Sequence, residues 1–258
     1  MPMRQQRKLR KREILFAVTL GAVAAGGAGI VLSESGSEPM PFVVAAAPQT
    51  YELAPFEQIS TVGPQDVVVT FGDTQSVRSE GSPEALGQLE VVVEDGELTI
   101  RPRNEFGVNW ASLSSATYFV TLPRLERVSL AGSGNIRIDK IEGDSFSGAI
   151  AGSGELAIAD MRVDEADFRI GGSGNVRAAG TAREARVSIG GSGQIQAAGL
   201  RSQTATISIG GSGDAALTVE DEAQVSIAGS GNVAITGPAR CSISQMGSGN
   251  VTCDGGGD

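Results

Sequence analysis

Apolar residues recur at alternate positions through the second half of the chain, in register with a repeated Gly-Ser-Gly triplet. Four places before the first glycine of each triplet stand Val128, Gly148, Phe168, Val187, Ile207, Val225 and Ile243. Two places before it stand Leu130, Ile150, Ile170, Ile189, Ile209, Ile227 and Gln245. Four after it come Ile136, Leu156, Val176, Ile195, Ala215, Val233 and Val251, and six after it Ile138, Ile158, Ala178, Ala197, Leu217, Ile235 and Cys253. This is the period-2 signature of strands with one buried face. No repeat carries a 3.6-residue period, so the crossovers between strands are not α-helical.

The triplets begin at Gly132, Gly152, Gly172, Gly191, Gly211, Gly229 and Gly247, at steps of 20, 20, 19, 20, 18 and 18 residues. Their second glycines are Gly134, Gly154, Gly174, Gly193, Gly213, Gly231 and Gly249. A near-constant step of this length is the mark of a solenoid, in which each repeat buries its apolar side only against its neighbours. Each repeat reads as strand, sharp corner, strand and looser return, with the glycines supplying the corner. The expected fold is all-β: a parallel β-helix of about seven coils, right-handed because parallel crossovers turn that way. A left-handed hexapeptide helix would need a six-residue sub-period, and none is visible.

Six places before the triplet the residues are small: Ala166, Ala185, Ala205 and Ala223, then Cys241. In the third and fourth coils Ala178 and Ala197 hold the place six after it, where the last coil has Cys253. Cys241 and Cys253 are therefore expected to face each other across the interior and form a disulfide, the one pairing two cysteines allow.

Ahead of the repeats the chain changes character three times. Residues 1–13 hold six basic residues and one acid, and residues 14–32 are uncharged and apolar. A basic flank before such a run reads as an export signal, and 19 residues also suffice to span a bilayer as an anchoring helix. Both outcomes, cleavage or retention, stay open, and both deliver the rest of the chain outside. Residues 33–50, with three prolines, read as a linker. One domain then fills 51–254, with irregular first coils and a cap over 51–130 and the repeats over 131–254. In the cap, Leu89 to Val93 and Leu98 to Ile100 flank Asp95-Gly96, a short-hairpin signal. Thr117 to Leu122 is a further strand. Residues 102–115 form a loop whose Phe106 and Trp110 are expected to fold back on the solenoid end, with ligand contact as the alternative.

Charge narrows the partners. The net charge is −10, and with the basic flank removed the remainder carries −15. That disfavours nucleic acid and anionic membranes, leaving residues 14–32, if uncleaved, as the membrane contact. The chain has no His, so a Ser-His-Asp triad and a His-based metal site are excluded. No cofactor or metal is expected. The corner serines repeat too regularly to include one activated nucleophile. They read as a stacked hydroxyl ladder.

Three places after each triplet's start stand Asn135, Glu155, Asn175, Gln194, Asp214, Asn232 and Asn250. Such a stack is expected to satisfy turn groups and neighbours along the ladder. Three places before it, Ser188, Ser208, Ser226 and Ser244 form a flat outward face over the last four coils. It is either a solvated face or a docking surface for a glycan or another subunit, so homo-oligomers stay open. An enzymatic alternative, a carbohydrate lyase, would rest on Asp164, Asp167 and Arg169, which sit close in sequence but without the second cluster such chemistry needs.

Phe56-x-x-Ile59, Gly63-Pro64-x-Asp66-Val67 and Gly72-Asp73 resemble the start of the bacterial head GIN domain family. Glu94-Asp95-Gly96-x-Leu98-Thr99-Ile100 and Val120-x-Leu122-Pro123 continue the pattern into the triplets, so the resemblance spans roughly 52–254. It implies a two-sheeted β-helix shaped like the pectin lyases without their catalytic residues, and an adhesin role of the autotransporter type. The resulting expectation is a non-enzymatic, exported envelope protein, periplasmic or at the cell surface. It would bind a surface glycan or an envelope protein, or act as a scaffold. A membrane-tethered sensor or regulatory partner is the further alternative.

Overall fold

The computed structural model describes residues 48–103 and 116–255. The apolar run 14–32, the linker up to residue 47, and Phe106 and Trp110 lie outside those residues. Among the described residues there are sixteen strands, all in one sheet, and one short helix.

The first coil is β2 (Gln58–Gly63) and β3 (Asp66–Phe71), joined by a corner at Gly63-Pro64-Gln65. The next is β8 (Arg127–Gly132) turning through Gly132-Ser133-Gly134 into β9 (Asn135–Gly152). β2 pairs in parallel with β8 with Gly63 opposite Gly132, and β3 pairs with β9. From there β9, β10 (Glu155–Gly172), β11 (Asn175–Gly191), β12 (Gln194–Gly211) and β13 (Asp214–Gly229) each wrap one coil and pair in parallel with the next. The last coil is β14 (Asn232–Thr236), β15 (Arg240–Gly247) and β16 (Asn250–Cys253), stacked on β13 and β14. Seven triplets thus bound six turns, and their first glycines stand in one column.

The return is itself hydrogen-bonded strand rather than a looser link. Ile141, Met161 and Leu200 point inward there and are fully buried, as are Ser202 and Val219, and Val163 and Ala182 are largely buried beside them. A third apolar side gives the backbone a reason to stay extended, so one sheet wraps the whole coil in place of two facing ones. The return also absorbs the variation in repeat length. Register shifts fall between Ile158 and Met161, Arg177 and Ala179, and Ala197 and Arg201. None falls at a corner.

The interior is a continuous column of aliphatic side chains, each contributing roughly 1.5–3 kcal/mol by leaving water. Gly148 holds an otherwise apolar place because Phe146 and Phe168 fill that space. A Cβ on Gly148 would stand 3.3 Å from both rings and 2.6 Å from Leu156 Cδ2. The small residues Ala166, Ala185, Ala205 and Ala223 are buried. At the end of their column Cys241 and Cys253 are joined in a disulfide with a Cα–Cα distance of 6.5 Å.

The start of the solenoid is closed by an excursion between β3 and β8. β6 (Glu97–Pro102) adds in parallel to β2, and β7 (Thr117–Leu122) adds in parallel to β3. Antiparallel strands then cover both edges: β5 (Leu89–Glu94) on β6, and β4 (Ser76–Glu80) followed by β1 (Gln49–Tyr51) on β7. The β5–β6 hairpin turns through Asp95 and Gly96, both at positive φ (49° and 78°). α1 (Pro83–Gln88) was not anticipated, although Ser82-Pro83-Glu84 is a helix-start signature. Ser82 Oγ accepts from Ala85 N–H, and Pro83 opens the first turn.

The corner geometry explains the triplet. Gly211 has φ +130°, and a Cβ there would run into the carbonyl oxygen of Gly191 one coil below. A Cβ on Gly213 would lie 2.6 Å from both Gly193 O and Ile189 Cγ2. Only the middle residue points to solvent, where a side chain is tolerated. Gly210, by contrast, has nothing nearer than Ile189 O at 3.9 Å. Gly211→Ala is therefore expected to destabilise the protein by about 2–4 kcal/mol, while Gly210→Ala changes stability by less than about 0.5 kcal/mol. Thermal unfolding of the two variants side by side checks the pair.

Candidate functional site

The serines expected as a face do line up. Ser188, Ser208, Ser226 and Ser244 are mutual register partners, and all are exposed. The corner serines also form a column, but their ladder runs through the backbone. Ser192 N–H donates to Gly172 O, Ser212 N–H to Gly191 O and Ser230 N–H to Gly211 O, each at 2.8 Å. Neither column is concave.

Concavity appears on the other side of the corner. The outward places three and five after each triplet's first glycine form two adjacent columns on the arm that follows the corner. The outer one reads Arg137, Ala157, Arg177, Gln196, Ala216, Ala234 and Thr252 in strict register. Two alanines between longer side chains leave a trough of about 300 Å³. Gln194, Gln196, Asp214, Asn232, Asn250 and Thr252 supply its polar walls, over a floor of Ala216 and Ala234. Listing the outer column from the repeat period would have exposed this dip.

The walls are partly fixed by their own hydrogen bonds. Asn232 donates through its backbone N–H (3.0 Å) and its Nδ2 (2.8 Å) to Asp214 Oδ1. Asn135 donates in the same way to Asp66 Oδ1 in the first coil, so part of the amide column serves the turn, as its composition suggests. At the other wall Arg177 Nε donates to Gln196 Oε1 (3.1 Å), and Gln196 Nε2 donates to Gln194 Oε1 (3.2 Å). The trough therefore offers four amides, one hydroxyl and one carboxylate around an apolar floor. That suits hydroxyl-rich, uncharged ligands held by polar contacts.

The residues weighed for lyase chemistry do not converge. Arg169 holds Asp167 with two bonds, Nε to Oδ1 at 3.1 Å and Nη2 to Oδ2 at 2.6 Å. Asp164 is paired instead with Arg183 at 3.7 Å. Among the described residues no three acidic or cysteine side chains gather where a metal ion could sit. Buried polar groups lie elsewhere: Thr61, Gln65 and Tyr118 are sealed inside the first coils, without hydrogen-bond partners among the described residues. Burial pushes the Tyr118 phenol well above its ordinary pKa, with Tyr51 adding to the shift. No ligand can reach them.

Comparison with protein families matches residues 55–239 to one described as "Putative auto-transporter adhesin, head GIN domain". Three solved structures share the fold. A "putative adhesin" from Bacteroides fragilis superposes with a TM-score of 0.73 at 22% identity, covering 80% of this chain and 95% of that one. A "putative lipid binding protein" from Parabacteroides distasonis gives 0.60 at 21% identity, with 80% and 96% covered. A "putative adhesin" from Parabacteroides merdae gives 0.61 at 20% identity, with 80% and 94% covered. Comparison with curated proteins finds no match.

The Asp214 bracket is local and partly exposed, so its loss is expected to be mild. Asp214→Ala should lower stability by about 1 kcal/mol and leave the β-rich circular-dichroism spectrum unchanged. Thermal melts and far-UV spectra of the variant check this.

Proposed function

The chain belongs to the head GIN domain family of adhesin-type proteins, and on that premise we propose that it is a non-enzymatic, exported binding module of the cell envelope. Its ligand is a neutral, hydroxyl-rich glycan, seated in the trough over residues 194–252. The observation that carries this reading is the trough itself, whose polar walls are four amides, one hydroxyl and one carboxylate around two alanines. Hydrogen-bonding side chains recur there once per coil, at the ~4.8 Å spacing of neighbouring strands. A repeating ligand can thus meet successive coils with the same contacts.

Two further features support the reading. Among the described residues every ion pair lies at or before Arg186 in the chain, and the trough lining carries a single charged side chain, Asp214. Asp167 is already engaged with Arg169, and Glu165 and Asp164 are held by Arg186 and Arg183, which supports binding over lyase chemistry. For location, the family description points to a surface or exported protein. The basic flank and apolar run of residues 1–32 support delivery across the inner membrane, with the solenoid outside.

Glycan-array binding of the full chain is the test. Neutral polysaccharides should be retained, and Ala234→Trp, which fills the floor, should weaken that binding at least about tenfold, equivalent to roughly 1.4 kcal/mol. Asp167→Ala should leave binding unchanged. Retention of acidic polysaccharides with release of unsaturated products, abolished by Asp167→Ala, would instead establish the lyase.

A further inference from the structure

The two ends of the solenoid are finished differently. At the start, antiparallel β5 lies along one sheet edge and β4 then β1 along the other. At the far end, among the described residues, β15 pairs only with β13, and β16 only with β14. Among those residues their outer edges carry unpaired N–H and C=O groups, without the lysine, proline or bulge that usually blocks such an edge. The last coil's interior is uncovered as well. Ile243 is 41% exposed, whereas its counterparts Val187, Ile207 and Val225 are at most 2% exposed. On the outward face of the same strand Met246, in register with Ala228, is 78% exposed. One carbonyl of the edge finds a substitute for the missing next coil, as Gln245 Nε2 donates to Gly249 O at 2.5 Å.

We propose that a second copy of this chain covers this end, with the two last coils facing each other about a two-fold axis through the corner at Ser248. The inward places two and four before the first glycine, and four and six after it, are symmetric about the middle serine of the triplet. A two-fold axis there sets Gln245 opposite Val251 of the partner subunit, and Ile243 opposite Cys253 of the partner subunit. Inward residues meet inward residues, and the core continues across the join. β15 runs toward the corner and β16 away from it, so the same axis lays β15 antiparallel on the partner's β16, the orientation an edge accepts readily. A one-residue slip would turn each inward set to solvent.

Charge favours a copy of the same chain. The whole chain carries −10, yet between Gly229 and Cys253 Arg240 is the only charged residue. Two such ends meet without the self-repulsion that the rest of the surface would impose. The contact is isologous and the opposite ends are capped, so it closes at a dimer instead of growing into a filament. Outside, Thr252 comes opposite Ser244 of the partner subunit, which joins the trough of one chain to the serine face of the other. The proposal stands on the end geometry and does not depend on what the trough binds.

Cross-linking of the purified full chain in mild detergent tests it. Residues paired across the axis have Cβ atoms about 4.5–5.5 Å apart, close to the reach of a disulfide. Ser248→Cys should give a covalent dimer on oxidation, with the 248–248 linkage found in the peptide map. Ser192→Cys, in the same column three coils earlier, should not. Adding Ile243→Lys to Ser248→Cys should cut the dimer yield at least about tenfold by placing a charge in the join. Ile243 is exposed in the single chain, so this change leaves the fold intact. Equal yields from the two cysteine positions, or a yield indifferent to Ile243→Lys, would overturn the proposal.

Discussion

Backbone-on-backbone contact at the corner is the constraint from which the rest of the structure follows. Successive coils meet there with the carbonyl oxygen of one glycine occupying the place a Cβ would need in the next. The same carbonyls accept the serine N–H groups of the following coil. Any side chain at the first or third place would push the coils apart and break that ladder. With the corner fixed, both adjoining arms are held in register, and their inward residues stack whether they are Ile, Val, Leu or Ala. Length variation has nowhere to go but the return, where the register shifts are found.

A fixed interior leaves the outward places free to differ, and they do so along the stack. The earlier coils carry ladders of alternating charge, such as Lys140, Glu142 and Arg162, or Glu165, Arg186 and Glu184. Exposed pairs of this kind contribute little stability each. The later coils carry no ion pair among the described residues; Arg201, Asp214, the run Glu220 to Glu222 and Arg240 stand there among Ser, Thr, Asn and Gln. Because the core is equally regular in both halves, this change is a property of the surface. It divides the stack into a part laced with ion pairs and a part without them, whose last coil carries Arg240 as its only charged residue between Gly229 and Cys253.

The repeat was legible because every coil from Gly132 onward sits beneath a coil of the same kind. The corner at Gly63-Pro64-Gln65 was not, and the reason is local. Its neighbour on the outer side is the pair β6 and β7, where the chain leaves at Pro102 and re-enters at Thr117. The two arms there are joined by residues 103–116 in place of a three-residue corner, and the third place holds Gln65. Gly63 remains glycine because φ is +120°. The outward second place accepts Pro64 as readily as Ser. The trough escaped notice for another reason. A dip is a relation between neighbouring coils, and Ala216 and Ala234 are unremarkable until Gln196 and Thr252 are set beside them. The cap hairpin at Asp95-Gly96 was legible because two residues suffice to specify its turn.

Translational repetition also bears on what such a surface can do. General acid–base chemistry requires two titratable groups in environments different enough to push their pKa values apart. A column of coils does the reverse, giving each residue nearly the surroundings of the one above it. Asp66 and Asp214 illustrate the point: five corners apart in the stack, each receives the same two bonds from an asparagine one coil on. What repetition provides is the same weak contact presented several times, which raises affinity for ligands that themselves repeat. Discrimination then arises where the repeat lapses. On this chain the outward lapse falls at Ala216 and Ala234, and the inward lapse at Gln245, both in the half of the stack without ion pairs among the described residues.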